Sequence, residues 1–201
     1  MARKSAWRSR ACVIALLAFL GALAVPAAAT ADVERFHRFE VDATANYTIT
    51  ETCPDESTST TLVQVIGGHE EEQEDGETTL DSDFVTVRIL NFLDCEGNFV
   101  NDRGSGPAEF TFSPSLQTAA VSGTITTRDG RSVTVDLAWA GEGPIEVTNN
   151  MTIFEGFTGH FQGKVRDAVA SGTVLVDGET LVDGSTTNAE LETLEDTNIR
   201  H

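Results

Sequence analysis

Residues 119–140 read AAVSGTITTRDGRSVTVDLAWA, and this stretch decides the fold class. Apolar and polar residues alternate on both sides of an Asp-Gly pair, which is typical of two half-buried strands joined by a tight turn. A three-residue turn pairs Ile125 with Val133 and sets the apolar side chains of both strands on one face, as burial requires. We therefore predict a β-hairpin in which a type I turn ends on Gly130 in the left-handed conformation.

Three further strands are predicted before this hairpin. From Val33 to Ile49 the apolar residues fall mainly on odd positions and the polar residues on even ones, which is the period of a half-buried strand. Residues 60–66 predict a second strand that ends at the Gly67-Gly68 pair, and residues 84–93 predict a third.

A second Asp-Gly turn, at 177–178, predicts another hairpin near the C-terminus. A two-residue loop of type I′ there pairs Val174 with Leu181. In all, the pattern predicts about nine or ten strands with short turns and no convincing helix. We therefore expect an all-β fold, a single antiparallel β-sandwich, with a closed antiparallel β-barrel of the same strands as the alternative.

The first 31 residues have the composition of a signal peptide. Four basic residues precede a stretch of apolar residues and glycine from Ala11 to Val25, and small residues follow up to Ala31. The apolar stretch is shorter than the roughly 20 residues that a membrane-spanning helix needs. We expect residues 1–31 to be removed as a signal peptide. Residues 32–201 then form one soluble, secreted β domain without a transmembrane segment.

The charge of the chain excludes one large class of partners. After residue 31 there are nine basic and 32 acidic residues, which gives a net charge of −23. Binding of DNA or RNA depends on clustered Lys and Arg that neutralise phosphates, so we expect no nucleic-acid partner. A protein this acidic stays soluble and repels anionic surfaces.

The two cysteines that follow the signal peptide, Cys53 and Cys95, are expected to form a disulfide. Disulfides persist in the oxidising compartments that exported proteins enter, and two cysteines have one intramolecular pairing. A redox pair or a metal site is the alternative, although the C-x-x-C spacing that would support either is missing.

Several segments of the second half carry a resemblance. They are residues 133–144 (VTVDLAWAGEGP), Phe161-x-Gly163 and residues 166–174 (RDAVASGTV). Together these segments resemble an uncharacterised family of small exported β-rich proteins from high-GC Gram-positive bacteria. The resemblance implies export and a β fold. It implies no activity and no site residues, because none is established for that family.

The segment Glu70–Asp83, EEEQEDGETTLDSD, holds eight acidic and no basic residues. We predict a solvated, mobile acidic loop at residues 70–83 between the second and third strands, because like charges repel one another. Several carboxylates can also hold Ca²⁺, although EF-hand spacing is not present. The calcium candidates are Glu74, Asp75, Glu77, Asp81 and Asp83; no other cofactor is expected.

No catalytic motif is found in the sequence, and the histidines of the exported part have no regular spacing. His37 is expected to be a packed or edge residue, and the phenylalanines around His160 are expected to lie in the core. Two functions remain open. One is an exported β domain that binds an extracellular or envelope ligand without catalysis. The alternative is a secreted hydrolase with a site assembled from separate strands.

We predict that the exported protein begins at Asp32, because signal peptidase cleaves after small residues such as those at 27–31. N-terminal sequencing by Edman degradation or mass spectrometry of secreted protein measures this directly. Secreted material that still begins at Met1 would contradict the assignment of the signal peptide.

Overall fold

The computed structural model describes residues 33–200, which form ten β-strands. The predicted signal peptide and its cleavage site lie outside the described residues. The strands are β1 Glu34–Thr52, β2 Thr58–Glu74, β3 Glu77–Asn91, β4 Val100–Pro107, β5 Glu109–Phe112, β6 Thr118–Thr126, β7 Ser132–Gly141, β8 Glu146–Phe154, β9 Phe157–Val176 and β10 Glu179–Arg200.

All ten strands belong to one antiparallel sheet. Its order is β4-β3-β2-β1-β10-β9-β7-β6-β5, and β8 pairs with β9 beyond the end of β7. The sheet folds over so that β5 and β6 lie against β2 and β3. Within residues 33–200 no ladder joins β4 to β5 or β6, so the sheet does not close into a barrel. The all-β sandwich prediction is confirmed, with both layers supplied by a single sheet.

The core lies between the two layers and is built from the alternation of each strand. On β1, Val41, Ala43, Ala45 and Tyr47 are buried, and the residues between them are half-exposed. From the opposite layer Trp139 enters the core, and its indole N–H donates to the carbonyl of Thr44 at 2.9 Å. Trp139 and Tyr47 are therefore packing residues.

The β6–β7 hairpin has the predicted register. Ile125 lies opposite Val133, and the N–H of Gly130 donates to the carbonyl of Thr127 at 3.0 Å, which closes the turn. Gly130 has a φ of +83°, in the left-handed region. The prediction of a type I turn followed by a left-handed glycine is confirmed.

The β9–β10 hairpin is confirmed in its turn but not in its register. Asp177 and Gly178 both have positive φ, as a type I′ turn requires. Val174 pairs with Val182 rather than Leu181, because a bulge shifts the ladder between Thr180 and Val182. The bulge allows two consecutive apolar residues to reach the core, since Val182 is buried and Leu181 packs partly against the same cluster.

The Gly67-Gly68 pair does not end the second strand. β2 continues through both residues to Glu74. The surrounding residues leave no room for a side chain at either position, which explains why both are glycine. A Cβ on Gly67 would lie 2.8 Å from the Cβ of Val121 in the opposite layer. A Cβ on Gly68 would lie 2.5 Å from the Phe84 ring. These glycines permit close packing where the sequence pattern indicated a stop.

The predicted acidic loop at residues 70–83 is wrong. These residues form the end of β2, a two-residue turn at Asp75 and Gly76, and the start of β3. Strand pairing with both β1 and β3 holds the segment, and the N–H of Arg35 on β1 donates to Asp75 Oδ1 at 2.9 Å. The sequence could not indicate that Arg38 of β1 forms ion pairs with Glu70 and Glu72.

Cys53 and Cys95 form the predicted disulfide, with the sulfur atoms 2.04 Å apart. Cys53 follows the last residue of β1, and Cys95 lies between β3 and β4. The bond joins these connections at one end of the sheet. A disulfide is typical of proteins in an oxidising compartment.

We predict that Gly130→Ala lowers the free energy of unfolding by about 1 kcal/mol or more, because a Cβ is disfavoured in the left-handed conformation. No heavy atom lies within 4 Å of the Cβ position, so the cost is conformational rather than steric. Urea unfolding measures it, with Ser122→Ala, at an exposed site on β6, as the control. An unchanged or raised stability would contradict the turn.

Candidate functional site

The candidate site lies where the sheet continues past the layer of β5, β6 and β7. β7 ends at Gly141 opposite Ala168, and the earlier part of β9 pairs with β8 instead. We call this part of the sheet the extension. It comprises residues 34–42 of β1, 67–74 of β2, 77–84 of β3, 146–154 of β8, 157–165 of β9 and 191–200 of β10.

The inner face of the extension is the side of the sheet on which the core residues lie farther along the same strands. It brings three histidines onto one surface: His69 neighbours Val41, while His37 and His160 both neighbour Thr197. Their distant positions in the chain hid this arrangement, because strand register alone aligns them.

The phenylalanines around His160 are not in the core, contrary to expectation. The ladder places Phe161 and Phe157 on the outer face, and Phe154 is 69% exposed. The strand is regular here, so its alternation turns these side chains away from the core side that His160 occupies.

His69 connects the extension to the core layer. Its Nδ1 atom lies 2.9 Å from Asp83 Oδ1 on β3. Its ring stacks on Phe112 of β5 with centroids 6.2 Å apart, and Phe39 packs on both rings. The pair is a base held by a carboxylate, with one side of the ring against apolar surface.

A second row of the inner face combines an aromatic ring with two carboxylates. Phe39 on β1 lies directly between Glu71 on β2 and Glu195 on β10. Glu71 accepts a hydrogen bond from Gln73, and Glu195 Oε1 lies 3.2 Å from His37 Nε2. Neighbouring strands are about 4.8 Å apart, so the two carboxylates flank the ring at a spacing of roughly 10 Å.

The outer face of the extension holds a crowded carboxylate cluster around a single guanidinium. Arg38 forms ion pairs with Glu40, Glu70 and Glu72. Beside them, Asp42 is largely buried, and its Oδ1 atom accepts no hydrogen bond within residues 33–200.

The pKa of Asp42 is raised to about 6, first by burial and then by the negative charges of Glu40, Glu192 and Glu70. Arg38 acts in the opposite direction but does not compensate. The pKa of Glu192 is raised by the same causes, burial first. Two neighbouring carboxyls of the outer face are therefore held toward their neutral forms.

The five calcium candidates do not converge. Glu74 and Glu77 flank the tip of the β2–β3 hairpin, and Asp75 caps the N–H of Arg35. Asp81 and Asp83 lie on the inner face, where His69 Nδ1 is 4.0 and 2.9 Å from their nearest oxygens. Within the part of the chain that the structure describes, no group of three or more His, Cys, Asp or Glu side chains is placed to hold a metal ion.

A groove of about 360 Å³ lies at the opposite, disulfide end, beside Arg131. The guanidinium there reaches the fully buried carboxylate of Asp102, with Nε 3.1 Å from Oδ2. Burial opposes ionisation of Asp102, but hydrogen bonds from Thr127, Arg131 and the N–H of Asp129 outweigh it and lower its pKa. This pair fastens β4 to the β6–β7 turn, and its role is structural.

The comparisons with known proteins add little. No protein-family model and no curated protein matches the chain. A similar solved structure comes from Nitrosomonas europaea and is described as a candidate AttH protein. It shares 10% identity over 84% of this chain at a TM-score of 0.22. The chain spans 51% of that protein's length, and a likeness this small carries no argument. The described residues contain no helix long and apolar enough to cross a membrane.

We predict that Asp42→Asn stabilises the protein at pH 7.5 by about 1 kcal/mol, after allowance for the partial exposure of this carboxyl. The folded-state pKa lies above the ordinary 3.8, so the folded chain retains a proton that the unfolded chain has lost. The stability of the native protein therefore falls as the pH rises from 3.8 to about 6.

Urea unfolding at several pH values measures the effect, and the advantage of the variant should shrink toward the acid end. Glu179→Gln, at an exposed turn, makes the same change of charge as the control. An advantage that does not depend on pH would contradict the raised pKa.

Proposed function

We propose that this is an exported, non-enzymatic binding protein that holds an extended cationic ligand on the inner face of the extension. The observation that carries the proposal is the row in which Phe39 lies between Glu71 and Glu195. An ammonium or guanidinium group over an aromatic face gains cation–π attraction, and a carboxylate on either side adds charge-assisted hydrogen bonds.

The rest of the chain supports a cationic ligand. The net charge of −23 after residue 31 draws cations toward the protein and repels anions. Further carboxylates, at Asp81 and Asp83, continue the inner face beyond Glu71. Because the row crosses several strands of an open face, it suits an extended molecule with repeated positive charges. A polyamine and a lysine-rich polypeptide share this chemistry.

Export rests on the signal-like residues 1–31 and is supported by the disulfide, which favours an oxidising environment. The resemblance to small exported β-rich proteins of high-GC Gram-positive bacteria agrees with it. We therefore propose an extracellular or envelope location for the ligand as well.

A secreted hydrolase is the second candidate, and the His69–Asp83 pair is the observation that favours it. A histidine oriented by a carboxylate can act as a general base. In residues 33–200, however, no hydroxyl or thiol side chain is hydrogen-bonded to His69. Binding is therefore the better-supported function.

The experiment is a calorimetric titration of the protein from Asp32 onward with spermine and with deca-lysine at 0.15 M NaCl, with CaCl₂ at matched ionic strength for comparison. We predict that Glu71→Gln/Glu195→Gln weakens binding of the polycations about 3- to 10-fold, as the loss of two partly exposed ion pairs implies. Phe39→Leu keeps an apolar packing side chain and removes the cation–π contribution, so it should weaken binding as well.

The matched control is Glu109→Gln/Glu179→Gln, which changes the charge equally at exposed sites on β5 and at the β9–β10 turn. Equal weakening in both double variants would show a diffuse charge effect and contradict the site. Preference for spermine or for deca-lysine distinguishes the two kinds of ligand. Turnover of ester or amide substrates that is lost in His69→Gln would establish the hydrolase instead.

A further inference from the structure

The strand β8 is an open edge of the sheet. It pairs with β9 along its whole length, without a register shift, and with no other strand among the residues described. All nine of its residues are exposed. Their exposed fractions reach 53% for Val147, 65% for Met151 and 66% for Ile153. Such an edge presents unpaired N–H and C=O groups beside apolar side chains.

The edge lacks the features by which proteins usually prevent edge pairing. It contains no proline, no lysine and no bulge, and Glu146 is its one charged residue. The two strands at the ends of the strand order differ from β8. β5 has four residues, and β4 carries Arg103 and ends at Pro107, with the carbonyl of Arg103 accepting a hydrogen bond from the N–H of Arg128.

We propose that β8 pairs antiparallel with β8 of a second copy of this chain, so that two sheets join into one. The distribution of charge indicates which molecule pairs with the edge of β8. Two copies that each carry −23 repel one another, and β8, whose one charged residue is Glu146 at its start, is a strand where they can meet without opposing carboxylates. A two-fold axis also lets one surface serve both partners, which is the commonest symmetry of homodimers.

The hairpin sets the register of this contact. Phe154 pairs with Phe157 across a two-residue turn, so the backbone groups of Phe154 and of every second residue before it point to β9. Those of Val147, Asn149, Met151 and Ile153 point outward. An axis at Asn150 places Val147 opposite Ile153 of the second copy and Asn149 opposite Met151. Glu146 then faces Phe154 rather than another carboxylate.

Pairing in this register has a consequence for the inner faces. Strands that join into one sheet keep their side chains on the same two faces. The apolar side chains of β8 therefore form one continuous row across the two-fold axis. His160, opposite Met151 on β9, then lies near the centre of the joined surface. The inner faces of the two extensions form one surface that is twice as wide. The dimer does not depend on the proposed cationic ligand.

The test is sedimentation equilibrium of the protein from Asp32 onward, from about 1 to 200 µM in 0.15 and 0.5 M NaCl. Because added salt screens the repulsion between the copies, the dimer should be tighter at the higher salt. Val147→Lys/Ile153→Lys puts lysines opposite lysines and should weaken the dimer at least tenfold. The corresponding double Glu variant should do the same, and an equimolar mixture of the two should recover association as a heterodimer.

The matched control is Thr111→Lys on β5, an exposed edge position that should leave the dimer unchanged. Circular dichroism checks that each variant folds. If a variant does not fold, hydrogen exchange of the unmodified protein tests the dimer instead. The amides of the outward-pointing residues of β8 should be protected at high protein concentration and should exchange freely at low protein concentration. A monomer throughout, or a dimer indifferent to both β8 variants, overturns the proposal.

Discussion

The ladders that β1 forms with β2 and β10 are the constraint on which the rest of the structure depends. β1 pairs with β2 over residues 36–52 and with β10 over residues 34–45, and neither ladder contains a shift. An unbroken period of two keeps each side chain on one face for the whole length of the strand. The face that buries Val41 to Tyr47 must therefore also carry Phe39, at the margin of the core, and His37 beyond it, so one register defines both packing and site.

The same ladders explain how a chain so acidic can pair its carboxylates side by side. Residues 70–74 are held between two neighbouring strands, and the side chains of Arg38 and His69 contact carboxylates of this region. The backbone N–H of Arg35 donates to Asp75. The compensation is incomplete, because burial and three nearby carboxylates act on Asp42 against one guanidinium. The outer face therefore destabilises the folded protein at neutral pH, while on the inner face Glu71 and Glu195 contact Gln73 and His37.

The two proposed surfaces differ in the physics that selects their partners. The Phe39 row combines carboxylates with an aromatic face, so it favours cations and is weakened by salt. β8 is an edge with a single charged residue and exposed apolar side chains, so its pairing with a second copy is opposed by the overall charge and strengthened by salt. Both surfaces lie on the extension, where Phe39 also packs against Phe112 of β5.

The sequence by itself determined those elements that depend on residues close together in the chain. The β6–β7 turn followed from the spacing of apolar residues around Gly130, and the Cys53–Cys95 bond followed from cysteine count and compartment. The alternation of β1 also predicted its buried face. These features depend on periods and turn chemistry that act over a few residues, or on a pairing with one solution.

Only the tertiary structure decided the features that depend on contacts between residues far apart in the chain. Gly67 and Gly68 permit a close approach by Val121 and Phe84, although in sequence such a pair resembles a turn. The acidic segment forms strands that pair with β1 and with each other, and Arg38 of β1 binds its carboxylates. Val174 pairs with Val182 because a bulge lets Leu181 contact the core as well. Glu71, Phe39 and Glu195 form one row because the register of three strands aligns them, and no local pattern encodes such a register.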